Sequence, residues 1–514
     1  MFDVGTTLIA AAARDPGRLA LADGELRLTY AELLERSLRL AGGLAEIGIS
    51  HGDHLLAVLQ NRAEMAMVHW ATQLAGIIVT PVNWRAKAEE IDFFAENSGS
   101  RAVVFEPVSQ AAVAGSCRAQ SLPRIAVGGA EGGSIAFSDL LAAPALEARS
   151  QAAAWDWSLM FYTSGTTGQG KGVPRRHRAE RAAAVAHVAQ NAYLYGEATL
   201  GVMPLYHTMG VRSLLAMAIS GGLFVCLPRF DAAKALELIE REKISNLYLV
   251  PTLYHDLLAH EDFAKRDVSS VRKLGFAGAP MTDGLLLKLQ DAFKPELFVN
   301  HYGSSEIYTF TIDQQAAKKP GSAGKAGINT EIRTVRIGAR DPDAILPPGE
   351  EGEIVATLLG DESFEGYWKR PDADAKSLIA GWYFTGDIGH FDRDGDLFVT
   401  GRVDDMMITG GENILPVEIE SVLSLHACVA EVAVAGLPDD RWGHRVTAFI
   451  KRSGPVTAEE LDAHCRASGL ANFKRPKAYE FVAQVPKSPV GKILRRLLIK
   501  GEYEAEGRNP LSSK

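Results

Sequence analysis

The first two-thirds of the chain alternates short apolar runs of strand length with amphipathic segments of helix length. Thr29 and Glu32 have the spacing of a capping box, which predicts a helix from there to about residue 47. The following segments alternate in the same way. Strands are predicted at residues 54–60, 77–83 and 101–106, and helices at residues 62–74 and 89–97. This order predicts parallel sheets that are covered by helices.

Three later apolar runs, at residues 246–250, 273–277 and 297–301, have the length and composition of buried strands. Each ends in a loop that contains Gly or Pro, and ligands gather at such strand ends in open α/β sheets. The most apolar stretch, residues 213–227, is interrupted by two glycines and is too short to span a bilayer. It is therefore expected to be a buried core segment.

The pattern changes after a Gly/Asp-rich hairpin stretch at residues 392–400. A small, self-contained set of helices and strands follows, with one helix expected from Pro416 to about residue 425. The sequence thus predicts an α/β fold with a large domain, residues 1–403, made of βαβ-type sheets and a β-rich subdomain. A small α+β domain, residues 404–514, is predicted to follow a boundary near Asp404.

Length, charge and cysteine content exclude several classes of function. A chain of 514 residues exceeds the size of one core, which agrees with two or more domains. The formal net charge of -9 argues against nucleic acid or an anionic membrane as the main partner. The four cysteines include no CxxC pair, so neither a zinc site nor a disulfide scaffold is indicated. With no basic start before the first apolar run, a cytoplasmic location is expected.

The sharpest local signal is the run YTSGTTGQGKG at residues 162–172. Glycines let backbone N–H groups turn toward an anion, hydroxyls add short donors, and Lys171 adds a mobile charge, so a polyphosphate is the expected guest. The order is not that of a Walker A loop. The alternative is a flexible linker, but linkers rarely end in a single lysine between glycines.

Six further motifs follow in order: GAP at 278–280, YGSSE at 302–306, WYFTGD at 382–387, GRVDD at 401–405, GGENI at 410–414 and PKSPVGK at 486–492. Their order and approximate spacing resemble those of the acyl-adenylate-forming superfamily, which includes acyl- and aryl-CoA synthetases, luciferases and peptide-synthetase adenylation domains. The resemblance covers nearly the whole chain and is greatest to the 4-chlorobenzoate and benzoate:CoA ligase type. The chain departs from the pattern at Gly170, where the family usually has Pro.

The resemblance implies an ATP-dependent acid:CoA ligase that forms an acyl-AMP and then a thioester. The implied co-substrates and cofactor are ATP, coenzyme A and Mg²⁺, with a small carboxylic acid as the partner. A carboxylate is a poor electrophile whose charge repels ATP, so catalysis must neutralise charge around the α-phosphate. By resemblance, Lys492 does this, and Glu306 with Thr167 helps to hold Mg²⁺. His207 and Arg402 complete the implied catalytic set.

The same resemblance implies a nucleotide site. Tyr302 is expected to stack on adenine, Asp387 to accept from the ribose hydroxyls, and Arg402 to lie near the phosphate and ribose. The implied ATP- and AMP-binding residues are Thr163, Ser164, Gly165, Thr166, Thr167, Lys171, Gly278, Ala279, Pro280, Tyr302, Gly303, Ser304, Asp387 and Arg402.

For the second half-reaction, the resemblance implies that the small domain swings about Asp404 and brings another face to the site. The phosphates of CoA need cations, and the thiol needs a path to the acyl carbon. A solvated surface role stays open for each basic residue taken alone. The implied CoA-binding residues are Arg85, Gly410, Gly411, Glu412, Trp442, Phe473, Arg475 and Lys477.

The implied acyl pocket is compact, which favours an aryl or cyclic acid. It consists of His207, Ala277, Gly278, His301, Gly303, Ile307 and Tyr308. His207 is expected to act as a wall or gate rather than as a base, because carboxylate attack removes no proton. His301 and Arg212 would suit a second polar group, although His301 also fits a buried strand position and Arg212 is expected to point to solvent. Medium-chain fatty and dicarboxylic acids therefore stay open.

Other classes share this fold, since fold does not determine function. An adenylating enzyme that loads a carrier protein is one alternative, but no carrier domain is expected after Lys492. A luciferase-type oxidoreductase is another. A non-catalytic nucleotide-binding protein is disfavoured because Lys171, Glu306, Asp387 and Lys492 are all present. The resemblance also leaves a homodimer open.

Overall fold

The computed structural model describes residues 2–129, 132–163, 170–409, 412–439, 441–487 and 493–506, without the side chains of Asp404 and Asn413. The helices are α1 (Gly5–Arg14), α2 (Tyr30–Glu46), α3 (Ala63–Ala75), α4 (Ala88–Ser98), α5 (Gln110–Gly115), α6 (Cys117–Gln120), α7 (Phe137–Leu141), α8 (His177–Gln190), α9 (Thr208–Ser220), α10 (Ala232–Arg241), α11 (Pro251–Ala259), α12 (Asp283–Phe293), α13 (Pro371–Ser377), α14 (Pro416–Ser424), α15 (Ala458–Ala467) and α16 (Arg495–Ile499).

The strands are β1 (Leu19–Asp23), β2 (Leu26–Thr29), β3 (His54–Val58), β4 (Ile78–Pro81), β5 (Ala102–Phe105), β6 (Arg124–Ala126), β7 (Ile135–Ala136), β8 (Trp157–Thr163), β9 (Lys171–Arg176), β10 (Ala198–Gly201), β11 (Leu223–Cys226), β12 (Asn246–Leu249), β13 (Lys273–Phe276), β14 (Leu297–Tyr302), β15 (Thr311–Asp313), β16 (Ser322–Ala326), β17 (Ile332–Val335), β18 (Gly352–Thr357), β19 (Leu378–Ile379), β20 (Trp382–Phe391), β21 (Leu397–Arg402), β22 (Met407–Thr409), β23 (Glu412–Ile414), β24 (Val429–Asp439), β25 (Gly443–Arg452) and β26 (Ala478–Phe481).

A seven-stranded sheet occupies the N-terminal part, in the order β7-β6-β5-β3-β4-β8-β9. Its strands pair in parallel until β9, which returns antiparallel beside β8. The predicted alternation of strands and helices is therefore confirmed here. The capping box at Thr29 is also present, because its side chain accepts from the backbone N–H of Glu32 and the Glu32 carboxylate accepts in return.

The larger sheet is fourteen-stranded. Its parallel half contains β10 to β14, so the three runs predicted as buried strands form the neighbouring strands β12, β13 and β14. The sheet continues through antiparallel strands to β21, which form the predicted β-rich part. The apolar stretch at residues 213–227 lies in α9 and β11 and is almost wholly buried, as expected.

From Met407 onward the strands form a separate five-stranded sheet with its own hydrophobic core. A short 3-10 turn, Val403–Asp405, precedes it. The sheet's helix α14 approaches α12 so closely that a Cβ on Gly284 would lie 2.8 Å from the carbonyl oxygen of Ser424. Within the described part of the chain, no helix has both the length and the apolarity to span a membrane.

The main core lies where α2, α3 and α9 pack together. Tyr30, the first residue of α2, is 2% exposed and connects α2 to α9. Its hydroxyl lies 2.9 Å from the carbonyl oxygen of Met217 and 2.7 Å from that of Gly222. These carbonyls belong to the end of α9 and the turn into β11, so the phenol fixes the position of that turn.

We expect Tyr30→Phe to lower the free energy of unfolding by about 1–3 kcal/mol, because it leaves buried carbonyls without this donor. The midpoint of urea unfolding measures the change. Tyr195→Phe is the matched control, since Tyr195 is 53% exposed, and it should shift the free energy by less than about 0.5 kcal/mol. Equal effects of the two substitutions would contradict the assignment.

Candidate active site

Lys171 stands at the first position of β9, directly opposite Thr163, the last residue of β8. Thr163 and Lys171 therefore pair with each other on either side of the glycine-rich run. Residues 164–169 of that run lie outside the described structure. Gly170 suits this position because a Cβ there would lie 3.1 Å from the carbonyl oxygen of Thr163. Burial lowers the pKa of Lys171, and the nearby Glu306 opposes this shift.

Glu306 and Lys171 meet at Tyr367. The Tyr367 hydroxyl donates to Oε1 of Glu306 at 2.7 Å, and the ammonium of Lys171 lies 4.4 Å from the centroid of the Tyr367 ring. Glu306 is only 6% exposed. The structure therefore brings together two predicted site residues, one of each charge, around a neutral phenol that the motifs had not indicated.

The loop after β14 positions Glu306 through its own hydrogen bonds. The Ser304 hydroxyl accepts from the backbone N–H groups of Glu306 and Ile307 at 3.2 and 3.3 Å. Gly303 is required because a Cβ would lie 1.9 Å from the carbonyl oxygen of Tyr308. The loop can fold back this tightly only where the chain has no side chain.

Arg175 on β9 holds the same loop from the other sheet. It is fully buried and pairs with the equally buried Glu180 at 2.8 Å. It also donates to the backbone carbonyl of Glu306 at 2.8 Å, while the Tyr308 hydroxyl donates to the second oxygen of Glu180 at 2.8 Å. This buried network fixes the backbone of Glu306.

A second cluster joins Tyr302, Asp387 and Arg402. The Tyr302 hydroxyl donates to Oδ2 of Asp387 at 2.6 Å, and Nη1 of Arg402 lies 2.9 Å from Oδ1. Asp387 and Arg402 are register partners on β20 and β21, so the hairpin places them together. The structure thus assembles the three residues that were predicted for the nucleoside end.

The predicted acyl pocket gathers around the ends of β13 and β14. Gly278 has a φ of 81° and lies between Val250 and Met209, whose atoms are 3.3 and 3.5 Å from the position of a Cβ. Ala277 and Ile307 are buried, Ala279 is half-buried and Pro280 is exposed. His207 is the N-cap of α9, and its Nδ1 accepts from the backbone N–H of Met209 at 3.3 Å.

The expectation that Arg212 points to solvent is wrong. Arg212 is 2% exposed, and its Nη1 donates to Nε2 of His301 at 2.6 Å. Its Nη2 donates to the carbonyl oxygen of Tyr308 at 3.0 Å. The reading of His301 as a buried, hydrogen-bonded strand residue is correct. Arg212 therefore joins two members of the predicted acyl pocket.

The residues predicted for CoA that the structure describes lie on several separate elements. Arg85 follows β4, and the central carbon of its guanidinium lies 3.7 Å from the centroid of the Trp84 ring. Trp442 and Phe473 are 48% and 42% exposed, and Glu412 and Lys477 are also exposed. Arg475 is paired with Asp462 at 3.3 Å, so its charge already has a partner.

Several predicted residues lie outside the described structure, and their roles stay predictions: Ser164, Gly165, Thr166, Thr167, Gly410, Gly411 and Lys492, together with the side chain of Asp404. The motifs also missed Tyr367, Arg175 and Glu180. No local pattern marks Tyr367. The buried pair did have a signal in the sequence, because Arg175 directly continues the apolar run of β9. Residues 172–175 of that strand are all buried.

We expect Asp387→Asn to weaken ATP binding about tenfold, because a neutral amide accepts less strongly and leaves Arg402 without its counter-ion. Isothermal titration calorimetry with ATP measures the change. Asp343→Asn is the control, since that carboxylate pairs with Arg333 at an exposed site. Unchanged ATP affinity in Asp387→Asn would contradict the placement of the nucleoside.

Comparison with known proteins identifies the family. Residues 8–368 match the family model of AMP-binding enzymes, and residues 418–492 match that of the AMP-binding enzyme C-terminal domain. A 4–chlorobenzoate–CoA ligase of Arthrobacter sp. is 34% identical over 507 residues, which cover 97% of this chain and 95% of the relative.

Two solved structures are similar over nearly their whole length. ATP-bound MatB from Rhodopseudomonas palustris has a TM-score of 0.87 and 27% identity, covering 97% of this chain and 98% of that one. The o-succinylbenzoate CoA synthetase of Bacillus subtilis, in complex with its acyl-adenylate, has a TM-score of 0.82 and 30% identity, covering 96% and 97%. The chain therefore belongs to the family of AMP-binding enzymes and, as its motifs predicted, is an ATP-dependent, AMP-forming acid:CoA ligase.

Proposed function

We propose that this ligase activates a compact ring carboxylic acid and transfers its acyl group to the thiol of coenzyme A. The observation that carries the proposal is the arrangement of two polar clusters on one loop. Tyr302 begins the nucleoside cluster, and Glu306, four residues later, begins the phosphate cluster with Tyr367 and Lys171. One short segment would thus bring both ends of a bound nucleotide next to the predicted acid pocket.

In the first step, a carboxylate oxygen of the acid attacks the α-phosphorus of ATP, and pyrophosphate leaves. The anionic reactants repel each other, so cations must stabilise the charge that the transition state shares. Lys171 would supply one of these cations. Lys492 would supply the second, between the carboxylate and the α-phosphate.

The donor set at Glu306 fits Mg²⁺. Its carboxylate offers hard oxygen ligands just after the end of a strand, beside Tyr367 and near Lys171. Glu306 would hold the ion with Thr167 and the phosphate oxygens of ATP. When bound, Mg²⁺ neutralises phosphate charge and favours departure of pyrophosphate. The Tyr367 hydroxyl orients the carboxylate for this task.

In the second step, the thiol sulfur of CoA attacks the acyl carbon of the mixed anhydride, a thioester forms, and AMP leaves. Between the two steps, residues 404–514 would rotate about Asp404. Arg85, Trp442, Phe473 and Lys477 would then meet CoA. Their exposure and dispersed positions suit a site that is completed only after the rotation.

The choice of a ring acid rests on the composition of the pocket. Small residues at positions 277, 278 and 303 leave room for a flat group such as an aromatic ring. The similarity to a ligase whose name specifies 4-chlorobenzoate supports this choice. A medium-chain fatty acid or the loading of a carrier protein would be the alternative.

The substrate class is tested by measuring pyrophosphate release with ATP, Mg²⁺ and CoA for benzoates, cyclohexane carboxylates, cinnamates, dicarboxylates and linear fatty acids. We expect ring acids to exceed linear acids in kcat/KM by about tenfold or more, as pocket shape commonly allows. Assays that omit CoA and detect acyl-AMP separate activation from transfer. A preference for linear fatty acids would contradict the proposal.

We expect Lys492→Ala to slow acyl-AMP formation by about 100-fold or more, because it removes a preorganised charge at the transition state. Transfer from chemically prepared acyl-AMP to CoA should change little. Lys500→Ala is the matched control on an exposed lysine nearby in sequence. Equal losses in both half-reactions would argue that Lys492 serves folding rather than adenylation.

A further inference from the structure

Arg212 is a buried cation without a carboxylate partner. Its guanidinium lies in α9, 2% exposed, and no carboxylate of the described residues comes within the 4.0 Å of an ion pair. Arg175, whose guanidinium also lies over the Tyr308 ring, is paired with Glu180 at 2.8 Å. A buried charge is costly unless an opposite charge offsets it, so Arg212 is the exceptional member of this pair of arginines.

The groups that contact Arg212 are neutral. They are the imidazole of His301 at 2.6 Å, the carbonyl of Tyr308 at 3.0 Å and the hydroxyl of Tyr248 at 3.5 Å. Burial and the charge of Arg212 hold the pKa of His301 well below its usual value, so the ring is uncharged near neutral pH. Among the described residues, Nε of Arg212 has no acceptor at all.

One buried carboxyl group lies within electrostatic range but outside contact. Glu362 is 1% exposed, and its Oε1 accepts from the side-chain amide of Asn329 at 2.9 Å. Burial raises the pKa of Glu362, and the charge of Arg212 only partly opposes that shift. Glu362 therefore weakens the field of Arg212 without forming a hydrogen bond to it.

A second buried donor lies in the same cluster. His187 is fully buried, and the amide nitrogen of Asn191 donates to its Nδ1 at 3.0 Å and to its backbone oxygen at 2.8 Å. Nδ1 is thus the acceptor, and the proton is on Nε2, which has no partner among the described residues. The His187 ring lies 4.6 Å from that of Tyr248 and 5.9 Å from that of His301.

The position of this cluster links it to the acid. His301 and Tyr308 belong to the proposed acyl pocket, and both contact Arg212 directly. One turn earlier on α9, the sulfur of Met209 lies 3.5 Å from the Cβ position of Gly278, another pocket residue. Arg212 therefore contacts residues of the proposed acyl pocket, whereas the phosphate cluster is formed by Glu306, Tyr367 and Lys171.

We propose that the acid carries a second, anionic carboxylate at its distal end, and that Arg212 and His187 bind it. The two N–H groups without acceptors, Nε of Arg212 and Nε2 of His187, are the donors that this carboxylate would accept from. The proposal rests on the proposed ligase function, because it assigns the pocket to the acid. A ring dicarboxylate satisfies both the compact walls and the buried cation.

The wild-type enzyme provides the first test. kcat/KM is measured by pyrophosphate release at saturating ATP and CoA for three matched acids: benzoate, terephthalate and the monomethyl ester of terephthalate. The ester keeps the shape and the acceptor oxygens but lacks the charge. We expect terephthalate to exceed both others by about 30-fold or more, as for a desolvated charge pair. The same comparison with isophthalate locates the distal carboxylate.

Two variants separate charge from hydrogen bonding. Arg212→Gln keeps a donor without the charge and should reduce the preference for terephthalate over its ester by about tenfold or more. Arg212→Lys keeps the charge and should retain part of the preference. Arg241→Gln, on the exposed surface of α10, should leave the ratio unchanged. Thermal unfolding and ATP binding verify that each variant is folded.

The wild-type measurement stands even if Arg212→Gln does not fold. Equal kcat/KM for terephthalate and its ester, with acyl-CoA formed from both, would overturn the anionic assignment and leave the ligase function intact. A preference for benzoate over both would overturn it as well. Failure of every acid, charged or neutral, to yield an acyl-CoA would instead refute the proposed function on which the inference rests.

Discussion

A guanidinium that is shielded from water is costly unless an opposite charge pairs with it, and the pairing of Arg175 determines the shape of the site. Its pairing with Glu180 lets it reach across from β9 to the backbone of Glu306 on the larger sheet. Removing one partner of such a pair typically costs about 3–5 kcal/mol, because the other charge stays buried. The position of Glu306, and of the loop that carries it, thus depends on this ion pair.

Three phenols repeat one arrangement around this pair. Tyr302 donates to Asp387, Tyr367 to Glu306 and Tyr308 to Glu180. Burial and the adjacent carboxylate raise the pKa of each hydroxyl above its usual value, so each stays protonated and donates throughout the physiological pH range. Each carboxylate is thereby oriented by a neutral donor, which leaves its own charge in place.

Much of the site could be predicted because the motifs lie at strand ends. The apolar run that became β14 leads directly to Tyr302 and Glu306, and the β20–β21 hairpin brings Asp387 beside Arg402. Tyr367 could not be found this way, because only tertiary contacts bring it to Glu306. Arg212 was misjudged because helices usually have a solvent face; α9 is buried nearly all round, and its only charged residue is Arg212.

The crowding at Gly303 has a consequence for protein engineering. A saturation library at that position would return glycine, since any side chain would collide with the carbonyl oxygen of Tyr308 at 1.9 Å from its first carbon. The backbone on this side of the pocket is therefore closed to redesign. Within the proposed acyl pocket, a change of acid preference would have to come from side chains, and the contacting residues Arg212 and His301 are the polar pair available for it.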